Sequence, residues 1–176
     1  LYLLTSMGKL VCFDAESGKI LWTKDVAAEF KGEGPRCGYA ESVVVDGNNV
    51  ICNPGGPDAS LVALDKTNGN TVWTTKGFSD MSGYCSAIPI ERGGQRLLVT
   101  ITARHVIGLD PESGKLVWSQ PFDPDAEDPN HSVGPVYQDG RLYVTSGHRK
   151  GGQMFELSPD GQQATLQWSD ETLSNS

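Results

Sequence analysis

The sequence predicts an all-β fold: a β-propeller of four-stranded antiparallel blades, of which this chain supplies about half of a seven- or eight-bladed ring. Three observations predict it. Tryptophans recur at 22, 73, 118 and 168, at spacings of 51, 45 and 50 residues. Around the first three the chain repeats in register, as LVCFDAESGKILW at 10–22, LVALDKTNGNTVW at 61–73 and VIGLDPESGKLVW at 106–118. The apolar runs are about five residues long and are punctuated by Asp-Gly and Gly-Gly pairs, which is the signature of short strands and tight hairpins rather than helices. A four-stranded sheet of about 48 residues cannot bury both faces alone, but sheets repeated around an axis can. A sandwich is the other all-β solution, and its strands do not repeat at this period.

The elements follow in order. In each of the three clear repeats an Asp (Asp14, Asp65, Asp110) stands eight residues before the Trp, and a Gly (Gly18, Gly69, Gly114) stands four after the Asp. The Asp side chain can bond nearby backbone N–H groups and the Gly accepts positive φ, so each stretch is a hairpin. The fourth copy, FELSPDGQQATLQW at 155–168, has Ser158 in place of the Asp and two extra residues before Trp168. Upstream of the second, third and fourth copies lies another hairpin: 42–52 turning at Asp46-Gly47-Asn48, 86–101 turning at Gly93-Gly94, and 132–145 turning at Asp139-Gly140. Each unit is four strands, a to d, and the first unit lacks its a strand, which makes fifteen in all. The expected boundaries are a partial blade at 1–26 and blades at 38–76, 84–120 and 131–170. The chain opens on Leu1 rather than Met, inside an apolar run, and ends on the polar SDETLSNS. Both ends read as cuts in a longer parent whose remaining blades complete the ring.

Composition narrows the partners. Acidic residues number 22 against 14 basic, a formal charge of -8, which argues against a phosphate-tracking surface and hence against nucleic acid. No apolar stretch approaches the roughly 18 residues of a membrane-spanning helix. With 21 Gly and 10 Pro the chain is rich in turns.

Strand parity sorts the loops. The a–b and c–d turns share one face and are short. The d–a stretches (about 24–38, 76–84, 120–131) and b–c stretches (about 53–59, 102–105, 146–152) share the other and are long, which is where sites form on a rigid scaffold. All three His (His105, His131, His148) fall there, with Arg36, Arg104, Arg149 and Lys150. Tyr39, Tyr84 and His131 occupy equivalent places at the starts of the a strands, near the mouth of the channel those strands line. Together with Glu41, Arg36 and Arg104 they are the candidate ligand contacts: aromatics to stack on a flat ligand, charges to bond its edges. The two tyrosines can equally plug the channel top.

The His have no metal-ligand spacing, so no zinc site is expected. The acidic loop from Asp123 to Asp128 lacks the Gly and spacing of a Ca²⁺ loop and reads as solvated. Gly55-Gly56 and Gly151-Gly152 read as tight loops, since no helix follows to make a phosphate cradle. Among Cys12, Cys37, Cys52 and Cys85 there is no CxxC. Cys12 replaces a small core residue and reads as a buried thiol, while Cys37 and Cys85 lie near neighbouring strand starts and could bridge. No nucleophile–base arrangement is legible.

The repeat LVALDKTNGNTVW resembles the Trp-docking repeat of the PQQ-like, quinoprotein-type β-propellers, Ala-x-Asp-x-x-Thr-Gly-x-x-x-Trp. Ala63, Asp65 and Trp73 fall on it directly. Ser17-Gly18 and Ser113-Gly114 stand at Thr-Gly in the other copies, with Cys12 and Gly108 at the small position. The likeness covers nearly the whole chain, and GYAESVVVDGNNVICNPGG looks most like uncharacterised bacterial secreted members. The resemblance implies that the Trp rings pack between blades and that the protein is periplasmic or extracellular. It implies two functional readings. One is a non-catalytic binding scaffold, engaging a protein or glycan partner or a small molecule at the long-loop face. The other is part of a PQQ-dependent alcohol dehydrogenase, with PQQ and Ca²⁺ as cofactors. Dehydrogenases of that kind share an adjacent Cys-Cys pair beneath the quinone, and none occurs here. The Trp-Asp dipeptides of WD40 adaptors are also absent.

Overall fold

The computed structural model describes residues 1–125, 127, 130–147 and 151–172. Its fifteen described strands form four antiparallel sheets in chain order. The first has three strands, β1 (Tyr2–Leu4), β2 (Lys9–Phe13) and β3 (Ile20–Asp25). The second comprises β4 (Val44–Asp46), β5 (Asn49–Cys52), β6 (Val62–Asp65) and β7 (Thr71–Thr74). The third is β8 (Ile88–Arg92), β9 (Gln95–Ile101), β10 (His105–Leu109) and β11 (Leu116–Pro121). The fourth is β12 (Val136–Gln138), β13 (Arg141–Thr145), β14 (Gly152–Leu157) and β15 (Ala164–Asp170). Every strand pairs with its chain neighbour, so each sheet is an up-and-down blade, and the chain is a partial β-propeller.

Alternation along the strands builds the core in layers between sheets. In β5, Val50 and Cys52 join Leu4, Leu10, Val62 and Leu64 against the first sheet. Ile51, between them, faces the other way with Ala63, Trp73, Leu98, Ile107 and Leu109. A third layer holds Val99, Ile101, Trp118, Leu142, Val144, Phe155 and Leu157. Each fully buried Leu or Ile of these layers contributes about 1.5–3 kcal/mol.

The Asp-x-x-x-Gly turns take one shape. Gly18, Gly69 and Gly114 have φ of 69°, 75° and 69°. Their N–H groups donate to the carbonyls of Asp14, Asp65 and Asp110 at 2.9, 2.8 and 2.8 Å. The Asp carboxylates accept from the turn: Ser17 N–H to Asp14 at 2.8 Å, Thr67 N–H to Asp65 at 2.8 Å, Glu112 N–H to Asp110 at 2.9 Å. The Ser17 and Thr67 hydroxyls, which also donate to Asp14 and Asp65, and after them these N–H groups, hold the two carboxyls below the usual range. A register shift marks the same point of the last two strands of each sheet: Cys12/Phe13, Ala63/Leu64, Gly108/Leu109 and Met154/Phe155.

The tryptophans join blades. The Trp22 indole N–H donates to the Lys66 carbonyl at 3.1 Å, and the Trp73 N–H to the Pro111 carbonyl at 3.0 Å. A Cβ placed on Gly69 would lie 2.9 Å from the Trp22 ring, and one on Gly114 2.3 Å from the Trp73 ring. Glycine is therefore required there twice over, for its φ and for the indole lying on it. The third joint departs from the expected packing. Trp118 is buried, but its N–H has no partner among the described residues. The longer fourth turn instead docks through Arg92, which donates to the carbonyls of Ser158 at 3.0 Å and Leu157 at 3.2 Å, and through Gln120, which donates to that of Ala164 at 2.7 Å. Trp168, on the last described strand, is 45% exposed and tilts against Tyr143.

Two further differences from expectation concern the long-loop face. The loop after β3 begins with a helix, α1 (Val26–Phe30), capped by Asp25, whose carboxylate accepts from the Ala28 N–H at 2.9 Å. The a strands start later than the sequence suggests, at Val44, Ile88 and Val136. Tyr39, Tyr84 and His131 therefore belong to the loops that lead into those strands.

Candidate functional site

The long loops converge from Thr5–Gly8, 26–43, 53–61, 75–87, 102–104, 122–125 and 130–135. Backbone bonds tie them across blades: Tyr39 N–H to the Ser6 carbonyl at 3.0 Å, Ser82 N–H to that of Glu33 at 3.1 Å, Ala103 N–H to that of Met81 at 3.0 Å. Most of the six candidate residues are drawn into this web.

Tyr39 and Glu41 fall in one cluster. Tyr39 is buried against Gly8 and Gly34, and its hydroxyl donates to the Pro54 carbonyl at 2.9 Å. Glu41 is buried and its Oε1 accepts from the Asn53 N–H at 2.6 Å. Burial pushes the Glu41 carboxyl up to about 8, although the Asn53 N–H pulls the other way. Burial, followed by the charges of Cys52 and Glu41, pushes the Tyr39 phenol up to about 12. The buried Cys52 thiol is driven up for the same reasons, desolvation first. Burial thus favours the neutral forms of Glu41, Tyr39 and Cys52. The Asn53 side-chain amide, 1% exposed, has no partner for its oxygen or its nitrogen among the described residues.

Arg104 belongs to a second cluster, whose centre the sequence did not single out. Asp80 is buried, and its carboxylate is saturated with donors. Oδ2 accepts from Thr102 Oγ1 at 2.6 Å and from the Arg104 N–H at 2.9 Å, and lies 2.9 Å from His105 Nδ1. Oδ1 accepts from the Met81 N–H at 3.0 Å and from the half-exposed Arg104 guanidinium at 3.4 Å. The His105 ring stands edge-on to Phe78, with centroids 5.4 Å apart. An anion held this way fixes the 75–87 loop to the 102–104 loop. The one clue in the sequence was the Thr-x-Arg-His run at 102–105 facing an acid more than twenty residues upstream.

His131 lies apart from both clusters and is fully buried, with Nδ1 2.8 Å from Ser146 Oγ and Nε2 2.9 Å from the Ala103 carbonyl. A carbonyl can only accept, so Nε2 carries the proton and the ring bridges two blades. Tyr84 is half-buried, and its hydroxyl accepts from the Cys37 N–H at 3.1 Å. Arg36 is exposed. His148, Arg149, Lys150 and Asp128 lie outside the described residues. The bridge considered for Cys37 and Cys85 is not formed: both are free thiols, Cys37 exposed and Cys85 buried with its sulfur 3.5 Å from the Ile101 carbonyl. Cys12 is buried, as its place in the repeat required. Among the described residues no three of His, Cys, Asp and Glu come together to hold a metal ion, and no helix is long and apolar enough to cross a membrane.

Comparison with known proteins follows the repeat. The family model described as outer membrane protein assembly factor BamB matches residues 1–88 and 57–176. The quinoprotein alcohol dehydrogenase PedH of Pseudomonas putida is 33% identical over 150 residues, 80% of this chain and 23% of that protein. The 1-butanol dehydrogenase (quinone) of Thauera butanivorans is 30% identical over 137 residues, 69% of this chain and 21% of that protein. This chain thus spans less than a quarter of the length of these relatives. Among solved structures, BamB from Moraxella catarrhalis superposes with a TM-score of 0.60 at 19% identity, covering 93% of this chain and 47% of that one. Quinohemoprotein alcohol dehydrogenase from Comamonas testosteroni superposes at 0.61 and 18% identity, covering 96% and 33%. At that identity the superpositions establish the fold. The described blades, the docked tryptophans and the matched model together make the chain a member of the PQQ-like β-propeller repeat family.

Proposed function

We propose that this segment is a non-catalytic binding scaffold of a periplasmic or extracellular protein, its long-loop face engaging a protein or glycan partner. One observation carries the reading. The polar groups that looked like ligand contacts are spent on the propeller itself: Tyr39 on Pro54, His131 on Ser146 and Ala103, Arg104 on Asp80. Toward solvent the described residues of these loops present Arg36 and Cys37, the charged Lys31, Glu33, Asp58 and Lys76, and the part-exposed Tyr84 and Arg104. A rigid face with a few exposed polar and aromatic groups suits a macromolecular contact. The family description, an outer membrane assembly factor, supports the same reading.

The residues present do not by themselves fit PQQ with Ca²⁺. A calcium site needs several hard anionic or carbonyl oxygens. Glu41 is a buried carboxyl whose Oε1 already accepts from the Asn53 N–H, and the Asp80 oxygens are already filled by donors. The dehydrogenase reading keeps two supports: the 33% identity with PedH, and the unpartnered amide of Asn53 beside Glu41.

Calorimetric titration of the folded full-length parent with PQQ in Ca²⁺ buffer separates the two. The scaffold reading expects no saturable heat. Saturable binding near one quinone per chain, lost in Glu41→Gln, overturns it in favour of the dehydrogenase reading.

A further inference from the structure

On the short-turn face, at the far end of the blades from the long loops, a cavity of about 440 Å³ opens between two turns of the third sheet. Gln95 and Arg96, beside the a–b turn, form one wall, and Asp110, Pro111 and Glu112, from the c–d turn, form the other. The second sheet shows what such a space holds. There the residue after the turn Asp is Lys66, whose N–H donates to the Asn48 carbonyl at 2.9 Å and whose ammonium reaches across to the Gly47 carbonyl at 2.8 Å. One lysine closes the gap between the two turns.

The third sheet lacks that lysine. Asn49 pairs with Asp65, which sets Asn48 opposite Lys66; Leu98 pairs with Leu109, which sets Arg96 opposite Pro111. Pro111 has no N–H to give the Arg96 carbonyl and no amine to reach across. The groups around the space favour a cation in its stead. The Arg96 carbonyl and the Asp110 and Glu112 carboxylates are acceptors, and the Arg96 guanidinium is already held by Asp46 and Glu112. Leu116 offers apolar surface to an aliphatic stem. Lys115 also lines the cavity; its ammonium has no partner among the described residues, and it is the site's internal competitor. The chain as a whole carries a formal charge of -8.

We propose that this cavity binds a primary ammonium on a short aliphatic stem, as a free alkylamine or as the lysine side chain of a partner, in the place that Lys66 fills in the second sheet. The ammonium donates to the Arg96 carbonyl, with the Glu112 and Asp110 carboxylates as its counter-charges, and the stem lies against Leu116. The volume stands at the low end of the roughly 300–1,000 Å³ usual for small-ligand sites, which suits a ligand of this size. The walls belong to the third sheet, which has a neighbour on either side. The site lies at the opposite end from the long loops and is independent of what they bind.

Ligand-observed saturation-transfer NMR on the folded full-length parent tests it, with n-butylamine and Nα-acetyl-lysine methylamide as probes and 1-butanol as the neutral control. Butylamine is expected to bind saturably with a Kd on the order of 1–10 mM, and butanol at least about tenfold more weakly. A lysine probe that binds as well as butylamine assigns the site to the side chain of a protein partner; one that does not bind assigns it to a free amine. Pro111→Lys supplies the ammonium from within and keeps the carbonyl that receives Trp73, so it should fold as the wild type by circular dichroism and lose the signal. Glu112→Gln, at an exposed position, should weaken butylamine several-fold, and Lys115→Ala should tighten it. No saturable binding to the folded wild type overturns the proposal, as does butanol binding as well as butylamine. Binding unchanged in both Pro111→Lys and Glu112→Gln also overturns it. Binding that appears only in Lys115→Ala does so too, since Lys115 is then the occupant.

Discussion

Replacing Glu41 with Gln should stabilise the protein above about pH 5, increasingly so up to pH 8. Glu41 is fully buried, and its carboxyl is pushed up to about 8 in the folded chain. In the unfolded chain it titrates near the ordinary value of about 4.3. Between those values the folded state holds a proton that the unfolded state has released, so raising the pH favours unfolding. The slope is about 1.4 kcal/mol per pH unit for one proton. Its stability is fully present below about pH 4 and is lost progressively as pH rises to about 8, a loss on the order of 4 kcal/mol between pH 5 and 8. Gln is neutral throughout, and its carbonyl oxygen can still accept the Asn53 N–H. Urea melts of both proteins at pH 5, 6, 7 and 8 isolate the contribution as a difference, since other groups titrate alike in both. The gap should be smallest at pH 5 and larger by about 3–4 kcal/mol at pH 8. A gap that does not change with pH, or a variant less stable than wild type at pH 8, would refute the assignment of Glu41 as a buried neutral acid.

Two further substitutions probe the joints and loops. Trp73→Phe removes a buried indole N–H from the Pro111 carbonyl as well as ring volume, whereas Trp118→Phe removes ring volume and a donor with no partner among the described residues, so Trp73→Phe should cost more in a urea melt, by about 1 kcal/mol. Equal costs would contradict the difference between those joints. Asp80→Ala strands Thr102, His105 and two backbone N–H groups and should destabilise by about 3 kcal/mol, with Asp80→Asn intermediate; a neutral Asp80→Ala would deny that the carboxylate holds the two loops.

The fold was legible because its signals are local and repeated. The Asp, Gly and Trp of each copy fix a turn and a docking ring without reference to the rest of the chain, and the fifteen strands follow from the punctuation between them. Helix α1 escaped notice because five residues are too few to show a helical period, although Asp25 three residues before Ala28 is an N-cap pattern. The candidate site was legible only as a set of loops. Tyr39 and His131 align in sequence, but what each does depends on which carbonyl a neighbouring loop presents: Pro54 to a hydroxyl, Ala103 to an imidazole. Asp80 gave no signal by itself, because its five donors come from residues 81 and 102–105 and meet it only when two blades are side by side. Trp118 shows the reverse case. The two extra residues in the fourth copy were visible in the sequence, and they displace the turn that would have received its N–H.

The account rests on one joint, an indole seated on the next blade's glycine turn, and exchange of the four indole N–H protons with solvent tests it most directly. In a dilute sample of the chain, the Trp22 and Trp73 protons should be strongly protected by the Lys66 and Pro111 carbonyls, and that of the half-exposed Trp168 should exchange fastest. A Trp73 proton exchanging as fast as that of Trp168 would contradict the blade joint and the propeller arrangement built on it.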